Sequence, residues 1–375
     1  MASNIRPSGV FDTNYAQDIS LNRTRWDRIL SNGLFIFLLI IPLLTSVGPL
    51  GLDIIPQSWI GTIVRIAIFA IAVQGLNILV GYTGQISLGH AAFMTVGAYS
   101  GAILARELNF SFLLALPAAA LITGAVGLLF GLPSLRVKGF YLAMATLAAQ
   151  FIIPWVLRYP LESLTNGARP LEVPTPYVLG FNLSHEAAFY YVAVPLAVFL
   201  FLAARNIIRT RTGRAFISVR DNDLAAELLG INVFSYKLQA FFLSALYAGI
   251  AGCLRAFEAQ TIPPETSLVQ LGQSIELLAM LVIGGAGFPL GPIFGVSFLI
   301  LLQERLIPGL NTGMVDLLRD NPNLLPFVDV ANVQASLTRI LFGVALMIFL
   351  IIEPRGLAYR WEILKISWKI RPFSH

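Results

Sequence analysis

The residues that could do chemistry in this chain are amide, hydroxyl and imidazole side chains set among glycines inside an apolar run. The run extends from 66 to 105 and contains no Asp, Glu, Lys or Arg. The candidates among its polar residues and glycines are Asn77, Gly84, Gln85, Ser87, Gly89 and His90. About forty residues accommodate two membrane-crossing helices of about 20 residues each, so these residues fall at the break between them. A broken helix is tolerated at membrane depth where it lines a cavity, so we predict that they line a translocation path.

Simpler roles compete with this one. For Gln85 and Ser87 the alternative is helix capping at a turn. For His90, the one histidine within the apolar part of the chain, the alternative is a buried imidazole that hydrogen-bonds inside the protein and never touches a solute.

No constellation of catalytic residues accompanies the stretch. The chain has no Gly-x-x-x-x-Gly-Lys-Ser/Thr phosphate loop, no Ser/His/Asp arrangement and no paired carboxylates. Its histidines, His90, His185 and His375, are scattered, and Cys253 is the single cysteine, so metal-ligand spacing is absent. We therefore predict that the chain is not itself an enzyme and carries no metal or cofactor of its own.

The composition is that of a polytopic membrane protein. Hydrophobic residues make up 57% of the chain and charged residues only 12%, with a mean hydropathy of +0.76. A soluble domain carries about 25% charged residues. The apolar runs predict an all-α fold with about ten transmembrane helices. The predicted spans are 29–52, 60–80, 88–104, 112–130, 139–157, 187–204, 238–254, two within 277–303, and 333–352.

Lysine and arginine are distributed so that both ends of the chain fall on one side. The basic segments are the tail 1–28, the turn 136–138, the stretch 205–237 and the tail 355–375. Even numbers of predicted spans separate the tails from the middle stretch, so the positive-inside rule places all four in the cytoplasm. This predicts a lipid-embedded transmembrane domain over 29–354 between two cytoplasmic tails. The net charge of +5 fits this orientation and does not indicate a nucleic-acid surface.

A second glycine-broken region resembles the first. Leu76-x-x-Leu-Val-Gly81 recurs as Leu278-x-x-Leu-Val-Ile-Gly284, and each copy continues to a Leu-Gly pair and another apolar span. Transporters are often built from two such halves, with the site at broken helices where the halves meet. We therefore add Gly284 and Gly287 to the predicted path. The span count gives both copies the same orientation, and chance similarity between glycine-rich turns is the alternative.

Two carboxylates, Glu276 and Glu304, flank this second region. An ionisable group at membrane depth indicates function by default. The predicted topology puts both near outer span ends, so solvation is the simpler interpretation.

The stretch 205–237 contains a further candidate segment, Gly213 to Asn232. Asp221 or Asn222 is suited to cap a short helix over residues 223–229, and Gly230 is suited to end it. Ala226 and Gly230 stand four residues apart, which predicts a small-residue face that another protein can approach closely. An ordinary amphipathic loop with its charges in water is the alternative.

Three blocks, 81–93, 213–232 and 283–292, together resemble one family. On these blocks the chain resembles the permeases of ATP-binding-cassette importers, specifically the branched-chain amino acid (LivM-type) family, over nearly all of 60–355. The resemblance implies that the middle block is a cytoplasmic coupling segment, which fits a groove on an ATPase subunit. The residues expected to take part in this coupling are Arg214, Arg220, Asp221, Asp223, Ala225, Ala226 and Gly230.

The coupling segment departs from the general importer signature, Glu-Ala-Ala-x-x-x-Gly. Ala225, Ala226 and Gly230 match it, whereas Leu224 replaces the glutamate. The downstream Ile-x-Leu-Pro of the signature is also absent. The departures bear on the individual ATPase contacts and leave the coupling role in place.

The resemblance also implies an assembly and a substrate. The expected partners are a second, usually different permease, two cytoplasmic subunits that carry ATP and Mg²⁺, and an extracytoplasmic binding protein. The expected substrate is a branched-chain or related hydrophobic amino acid, with urea or a short amide as the alternative. A secondary transporter or channel that works alone would need ionisable groups at mid-membrane. The spans offer essentially none apart from His90.

Overall fold

The computed structural model describes residues 41–44, 56–134, 140–178, 181–183, 185–263, 271–309, 340, 343–344, 346–349 and 351–370. The predicted amino tail lies outside these residues, as do the basic turn 136–138 and most of the predicted first and tenth spans.

Helices account for most of the described chain, as the apolar runs predict. In chain order they are α1 Ser58–Leu76, α2 His90–Glu107, α3 Phe112–Ser134, α4 Phe140–Arg158, α5 Glu162–Thr165, α6 Glu186–Arg209, α7 Arg211–Asp221, α8 Asp223–Leu228, α9 Val233–Ala259, α10 Leu271–Gly284, α11 Gly291–Leu301 and α12 Leu357–Ile370. A 3-10 turn covers Ile41–Leu44, and π-helical turns extend α1 over Asn77–Tyr82 and α11 over Leu302–Leu306.

Several of these helices can cross a bilayer. Within the described residues, 6 helical stretches are long and apolar enough: Ser58–Tyr82, Phe112–Leu132, Tyr141–Arg158, Glu186–Arg209, Val233–Ala259 and Gly291–Gly309. The shorter apolar helix α10 lies beside them, and α2 is buried along most of its length. The prediction of a multi-pass, mainly helical membrane protein is confirmed, while the count of ten spans stays a prediction.

The outer helices present apolar side chains away from the protein. Large hydrophobic residues of α3 and α4 are more than half exposed: Leu121, Leu129, Phe151 and Trp155. An apolar surface of this extent suits contact with lipid or with the apolar face of another membrane subunit, because apolar side chains have no hydrogen bonds to lose there.

Helix α9 is the centre of the bundle and packs against α1, α2 and α3. Its contacts depend on small residues, because a Cβ on Gly97 of α2 would lie 2.3 Å from the carbonyl oxygen of Gly249. In the same way, a Cβ on Gly252 would lie 1.9 Å from the carbonyl oxygen of Met94. Close backbone approach through glycine is how membrane helices gain packing energy without a hydrophobic driving force.

The bundle has two distinct ends, named here by one residue at each. At the Glu304 end, the beginning of α1 meets the π-helical turn that follows α11. At the Arg220 end, Gly81 after α1 meets Gly287 after α10. Helices α1 and α10 therefore both run toward the Arg220 end, and α11 runs back from it. This is the relative orientation that the span count predicts for the two similar regions.

Glu304 is paired at its end of the bundle, and the expectation of simple solvation is wrong. Its carboxylate accepts hydrogen bonds from Thr62 Oγ1 at 2.7 Å and from Arg65 Nη2 at 2.9 Å. The Nε atom of Arg65 lies 2.5 Å from the other carboxylate oxygen. Glu276 is likewise engaged, since Gln303 Nε2 donates to it at 2.6 Å. Local sequence patterns do not predict these pairs, because the paired residues are far apart in the sequence.

Replacing Glu304 with glutamine is expected to destabilise the protein by about 1–3 kcal/mol, because Arg65 would keep its charge without a partner in a half-buried place. The measurement is the thermal unfolding midpoint in detergent. The control is Glu107→Gln: its pair with Arg106 spans 3.5 Å and both side chains are more than 40% exposed. Exposed pairs contribute at most about 1 kcal/mol. Equal shifts for the two variants would contradict the prediction.

The segment between α4 and α6 is an exception to the all-α expectation. Two short antiparallel pairs form there, β1 Leu171–Glu172 with β4 Thr261–Ile262, and β2 Tyr177–Val178 with β3 Phe181–Asn182. The first pair ties the loop to the end of α9. A strand of two residues is too short for an alternation of apolar and polar residues to predict it.

Candidate functional site

The first glycine break is a non-helical segment, residues 84–89, between the π-helical turn and α2. Gly84 has φ +70°, a conformation that favours glycine. A Cβ on Gly89 would lie 2.1 Å from the carbonyl oxygen of Thr146 on α4, so only glycine fits there. The break lies where the glycines and polar side chains of the sequence predict it.

Side chains from α4 and α10 hold the start of α2 inside the protein. Ser274 Oγ accepts a hydrogen bond from the Ala91 amide at 3.0 Å, and Gln150 Oε1 accepts one from the Ala92 amide at 3.0 Å. Ser274 Oγ in turn donates to Gln150 Oε1 at 2.8 Å. These bonds matter because the first amides of a helix have no partner within it.

One further bond fixes the segment just before α2. Thr146 Oγ1, one turn before Gln150 on α4, accepts a hydrogen bond from the Leu88 amide at 2.9 Å. Sequence reasoning missed Thr146, Gln150 and Ser274. The available signal was two buried polar residues four apart in an apolar span, Thr146 and Gln150.

The second glycine break, residues 285–290, lies directly against the first. Asn77 bridges them: its Nδ2 donates to the Phe288 carbonyl oxygen at 3.0 Å, and its Oδ1 accepts from the Gly287 amide at 2.8 Å. A Cβ on Gly81 would lie 2.4 Å from the Gly287 nitrogen. The two regions that look alike in sequence are therefore in backbone contact, and Gly284 sits at the edge of this junction as the last residue of α10.

Arg220, from the last turn of α7, reaches the same junction. Its Nη1 donates to the Gly81 carbonyl oxygen at 2.9 Å. A Cβ on Gly84 would lie 3.0 Å from its Cγ atom, and one on Gly287 would lie 3.2 Å from Nη1. One side chain from the middle block thus contacts both glycine breaks.

The helix that follows Arg220 forms as the sequence predicts. Asn222 is its N-cap, and Asn222 Oδ1 accepts from the amides of Leu224 at 3.0 Å and Ala225 at 3.1 Å. Asp223 pairs with Lys237 of α9 at 2.5 Å, which ties α8 to the bundle. Gly230 follows the helix with φ +81°. The capping residue is Asn222, and Asp221 lies before it.

Comparison with known families decides what kind of protein has this arrangement. The sequence model of the family described as "Branched-chain amino acid transport system / permease component" matches residues 58–350, which contain both breaks and the α7–α8 segment. The chain belongs to this family. The resemblance to LivM-type permeases predicted from the three blocks is confirmed.

Individual relatives match part of the chain, and the matched region spans about 61% of the first of them. LivM of Salmonella typhimurium, a high-affinity branched-chain amino acid transport system permease protein, is 30% identical over 263 residues, or 64% of this chain and 61% of LivM. LivH of Methanocaldococcus jannaschii, a probable branched-chain amino acid transport permease protein, is 24% identical over 66% of this chain and 79% of LivH. The ribose import permease RbsC of Escherichia coli is 26% identical over 64% of this chain and 74% of RbsC. No solved structure matches the permease.

The small-residue face expected from Ala226 and Gly230 does not form in this permease. Ala226 is fully buried against its own chain, and Gly230 lies beyond the end of α8. The exposed surface of this segment is built from leucines instead, with Leu228 89%, Leu229 79% and Leu224 65% exposed. Leu224 was noted in the sequence only as a departure from the signature, and the other two were missed.

The remaining residues of the expected coupling set are exposed, apart from Asp223, which is half-buried. Arg214 is exposed on α7, and its Nη1 lies 3.5 Å from the Arg209 carbonyl oxygen. Asp221 is exposed and accepts from Arg220 Nη2 at 3.1 Å. Ala225 is exposed beside the leucines. Arg220 has a side chain that is 40% exposed, and its hydrogen bonds go to Asp221 beside it and to Gly81 at the junction.

Besides Asn77, three polar side chains of the opening stretch, Gln85, Ser87 and His90, are buried at the first break or directly after it. Gln85 Nε2 donates to Thr83 Oγ1 at 3.1 Å and to the Lys237 carbonyl oxygen at 3.4 Å, while His90 Nε2 lies 2.9 Å from the Ala72 carbonyl oxygen. Gln85 Oε1, Ser87 Oγ and His90 Nδ1 have no hydrogen-bond partner among the described residues. Buried polar atoms are normally paired, so these atoms are candidates for contact with water or solute.

No group of three His, Cys, Asp or Glu side chains within the described ranges is placed to hold a metal ion. Cys253 is buried in α9 and packs against Gly101 of α2. The described junction offers hydrogen-bonding groups from Asn77, Gln85, Ser87 and His90.

Proposed function

We propose that this chain is a membrane permease subunit of an ATP-driven importer for branched-chain or related hydrophobic amino acids. One observation carries the proposal: Arg220, in the middle of the α7–α8 segment, donates a hydrogen bond to Gly81 at the junction of the two glycine breaks. Force applied to that segment from outside the bundle would act on the breaks directly. A permease that works alone would not need a contact through which another subunit could move the breaks.

In this proposal the Arg220 end faces the cytoplasm. Six lysines and arginines between 205 and 237 belong to that end, and basic residues favour the cytoplasmic side. The full chain would then cross the bacterial inner membrane about ten times, with both termini inside. The two glycine breaks would form part of the path, lined by Gln85, Ser87 and His90.

The proposed partners follow from the same arrangement. The assembly contains two ATP-binding subunits, which carry ATP and Mg²⁺, and one of them docks on α8 of this chain. An extracytoplasmic binding protein delivers solute at the Glu304 end. The second permease is a different chain of the same family, since both LivM and LivH proteins match this sequence. Hydrolysis takes place on the partner subunits, so this chain has no enzymatic role.

The test is uptake by proteoliposomes that contain the full assembly, with binding protein outside and ATP inside. We expect leucine to accumulate only with ATP. Accumulation of urea or of ribose in place of leucine would overturn the substrate assignment; ribose is included because RbsC is among the relatives. Leucine accumulation without ATP would overturn the coupling assignment.

Replacing Leu228 with aspartate is expected to weaken ATPase docking at least about tenfold, because burying one leucine contributes about 1.5–3 kcal/mol and a tenfold change is about 1.4 kcal/mol. The measurement is the amount of ATP-binding subunit that copurifies with the permease. Leu108→Asp is the matched control, since Leu108 is 58% exposed beyond the other end of the bundle. Equal recovery from both variants would show that α8 is not the docking surface.

A further inference from the structure

Arg220 occupies a place that its expected role as an ATPase contact does not explain. Its guanidinium lies between backbone atoms of two segments that are about 200 residues apart in sequence. It donates from Nη1 to the Gly81 carbonyl oxygen at 2.9 Å. The same nitrogen would lie 3.2 Å from a Cβ on Gly287. The aliphatic part of the side chain packs on Gly84, where a Cβ would approach Cγ to 3.0 Å.

The carboxylate of the next residue, Asp221, holds the guanidinium in this orientation. Asp221 Oδ1 accepts from Nε at 3.2 Å and from Nη2 at 3.1 Å, which leaves Nη1 directed at Gly81. A planar guanidinium oriented on one side presents its remaining donors in fixed directions, which a lysine ammonium cannot do. The Asp221 carboxylate therefore orients the Arg220 guanidinium toward Gly81.

The glycines around Arg220 have matching properties. Gly84 and Gly287 have φ +70° and φ +85°, so both are suited to glycine by backbone conformation as well as by space. A side chain on Gly287 would press on the guanidinium as well as on the Gly81 carbonyl. Asn77 joins the two breaks on the inner side of the same junction.

We propose that Arg220 is a positioning residue that links the coupling segment to both glycine breaks, so that movement of α7 shifts the two breaks together. This role rests on the proposed function of the chain, and it differs from ATPase docking. Docking belongs to the exposed leucines of α8, whereas Arg220 transmits displacement after docking. The side chain acts through backbone and need not contact the solute.

The test compares Arg220→Ala, Arg220→Lys and the control Arg211→Ala in the reconstituted assembly. Three quantities are measured: recovery of ATP-binding subunits, ATP hydrolysis, and solute molecules moved per ATP. For Arg220→Ala we expect full recovery of the subunits and at least about a tenfold fall in solute moved per ATP, because a charge-assisted hydrogen bond is lost. Arg220→Lys should recover part of the loss, since an ammonium can still donate to Gly81. Arg211, exposed at the start of α7, should behave as wild type.

The outcomes separate this inference from the proposed function. If the wild-type chain recovers no ATP-binding subunits, the proposed function itself is wrong. If Arg220→Ala loses those subunits while remaining folded, Arg220 is a docking residue and the linking role is overturned. An unchanged number of solute molecules per ATP would also overturn it. If Arg220→Ala does not fold, Arg220→Lys decides: a lowered transport ratio supports the link, and a wild-type ratio refutes it.

A second variant pair tests whether Arg220 and the breaks act as one unit. Gly287→Ala places a Cβ 3.2 Å from Arg220 Nη1 and should itself lower the number of solute molecules moved per ATP. Combined with Arg220→Lys, its effect should be less than additive, because both changes disturb the same contact. Fully additive effects would show that the guanidinium and Gly287 act independently.

Discussion

Replacing Gly252 with alanine is expected to lower the yield of folded protein sharply, and replacing it with leucine to abolish it. Gly252 lies where α9 crosses α2. A Cβ there would stand 1.9 Å from the Met94 carbonyl oxygen and 2.7 Å from its carbonyl carbon. These are backbone atoms inside a helix, so no rotamer change can relieve the overlap.

The size of this effect follows from what must move. Inserting a methyl group into a well-packed core costs about 1–3 kcal/mol when side chains can adjust. Here the two helices themselves must separate, and α9 also packs on α1 and α3. Because close approach is the main source of helix association in a membrane, separation removes contacts along the whole crossing. We expect the alanine variant to exceed that range.

Gly272→Ala is the matched control for this prediction. Gly272 is also a helical glycine, on α10, but no side chain or other helix of the described residues lies within 4 Å of the place that a Cβ would take. Alanine is favoured over glycine in a helix by about 0.5–1 kcal/mol, so this variant should be as stable as wild type or more so. The measurements are the monodisperse fraction and the unfolding midpoint in detergent. Similar behaviour of the two alanine variants would contradict the packing argument.

The sequence predicts the breaks well because their causes are local. A run without charge that is too long for one helix must be interrupted, and glycines mark the place. The observed break, residues 84–89, falls within the predicted stretch. The short helix after Asn222 is predicted for the same reason, since capping and helix termination depend on residues within a few positions.

The sequence does not predict what lies across from each break, because those contacts join distant segments. Asn77 and Gly287 are 210 positions apart, and Ala91 and Ser274 are 183 apart. Their side chains give no periodic signal, and a buried asparagine looks the same whether it faces a path or bridges two loops. The sequence assigned Asn77 to a path, and the structure shows its amide bonded to the second break. Its contact with solute stays a prediction.

For Ala226 the sequence prediction was wrong, because it placed on an exposed surface a residue that the structure buries. The spacing of Ala226 and Gly230 suggested a common surface on a continuous helix. The helix ends at Leu228, so the two residues do not share a face, and Ala226 packs inward with no exposure. The leucines become the outer surface because the cap at Asn222 and the Asp223–Lys237 pair fix how α8 is rotated.

Replacing Gln150 with leucine is expected to destabilise the protein by about 1–3 kcal/mol and to slow transport. The loss of its Oε1 leaves the Ser274 hydroxyl without this acceptor and leaves the Ala92 amide with its bond to the Gly89 carbonyl oxygen at 3.1 Å. Water cannot replace the lost acceptor cheaply at a buried helix start, so the penalty is that of an unpaired donor. The measurements are the unfolding midpoint in detergent and the initial uptake rate.

Gln239→Leu supplies the control, because Gln239 is exposed on α9 and its only recorded bond among described residues is a 3.4 Å contact with Ser235. It should change stability by no more than about 0.5 kcal/mol. A double-mutant cycle of Gln150→Leu with Ser274→Ala should show coupling of about 0.5–3 kcal/mol, since the two side chains share one hydrogen bond and hold adjacent amides. Additive losses would mean that each side chain acts alone, and the start of α2 would then not be fixed by a shared cap.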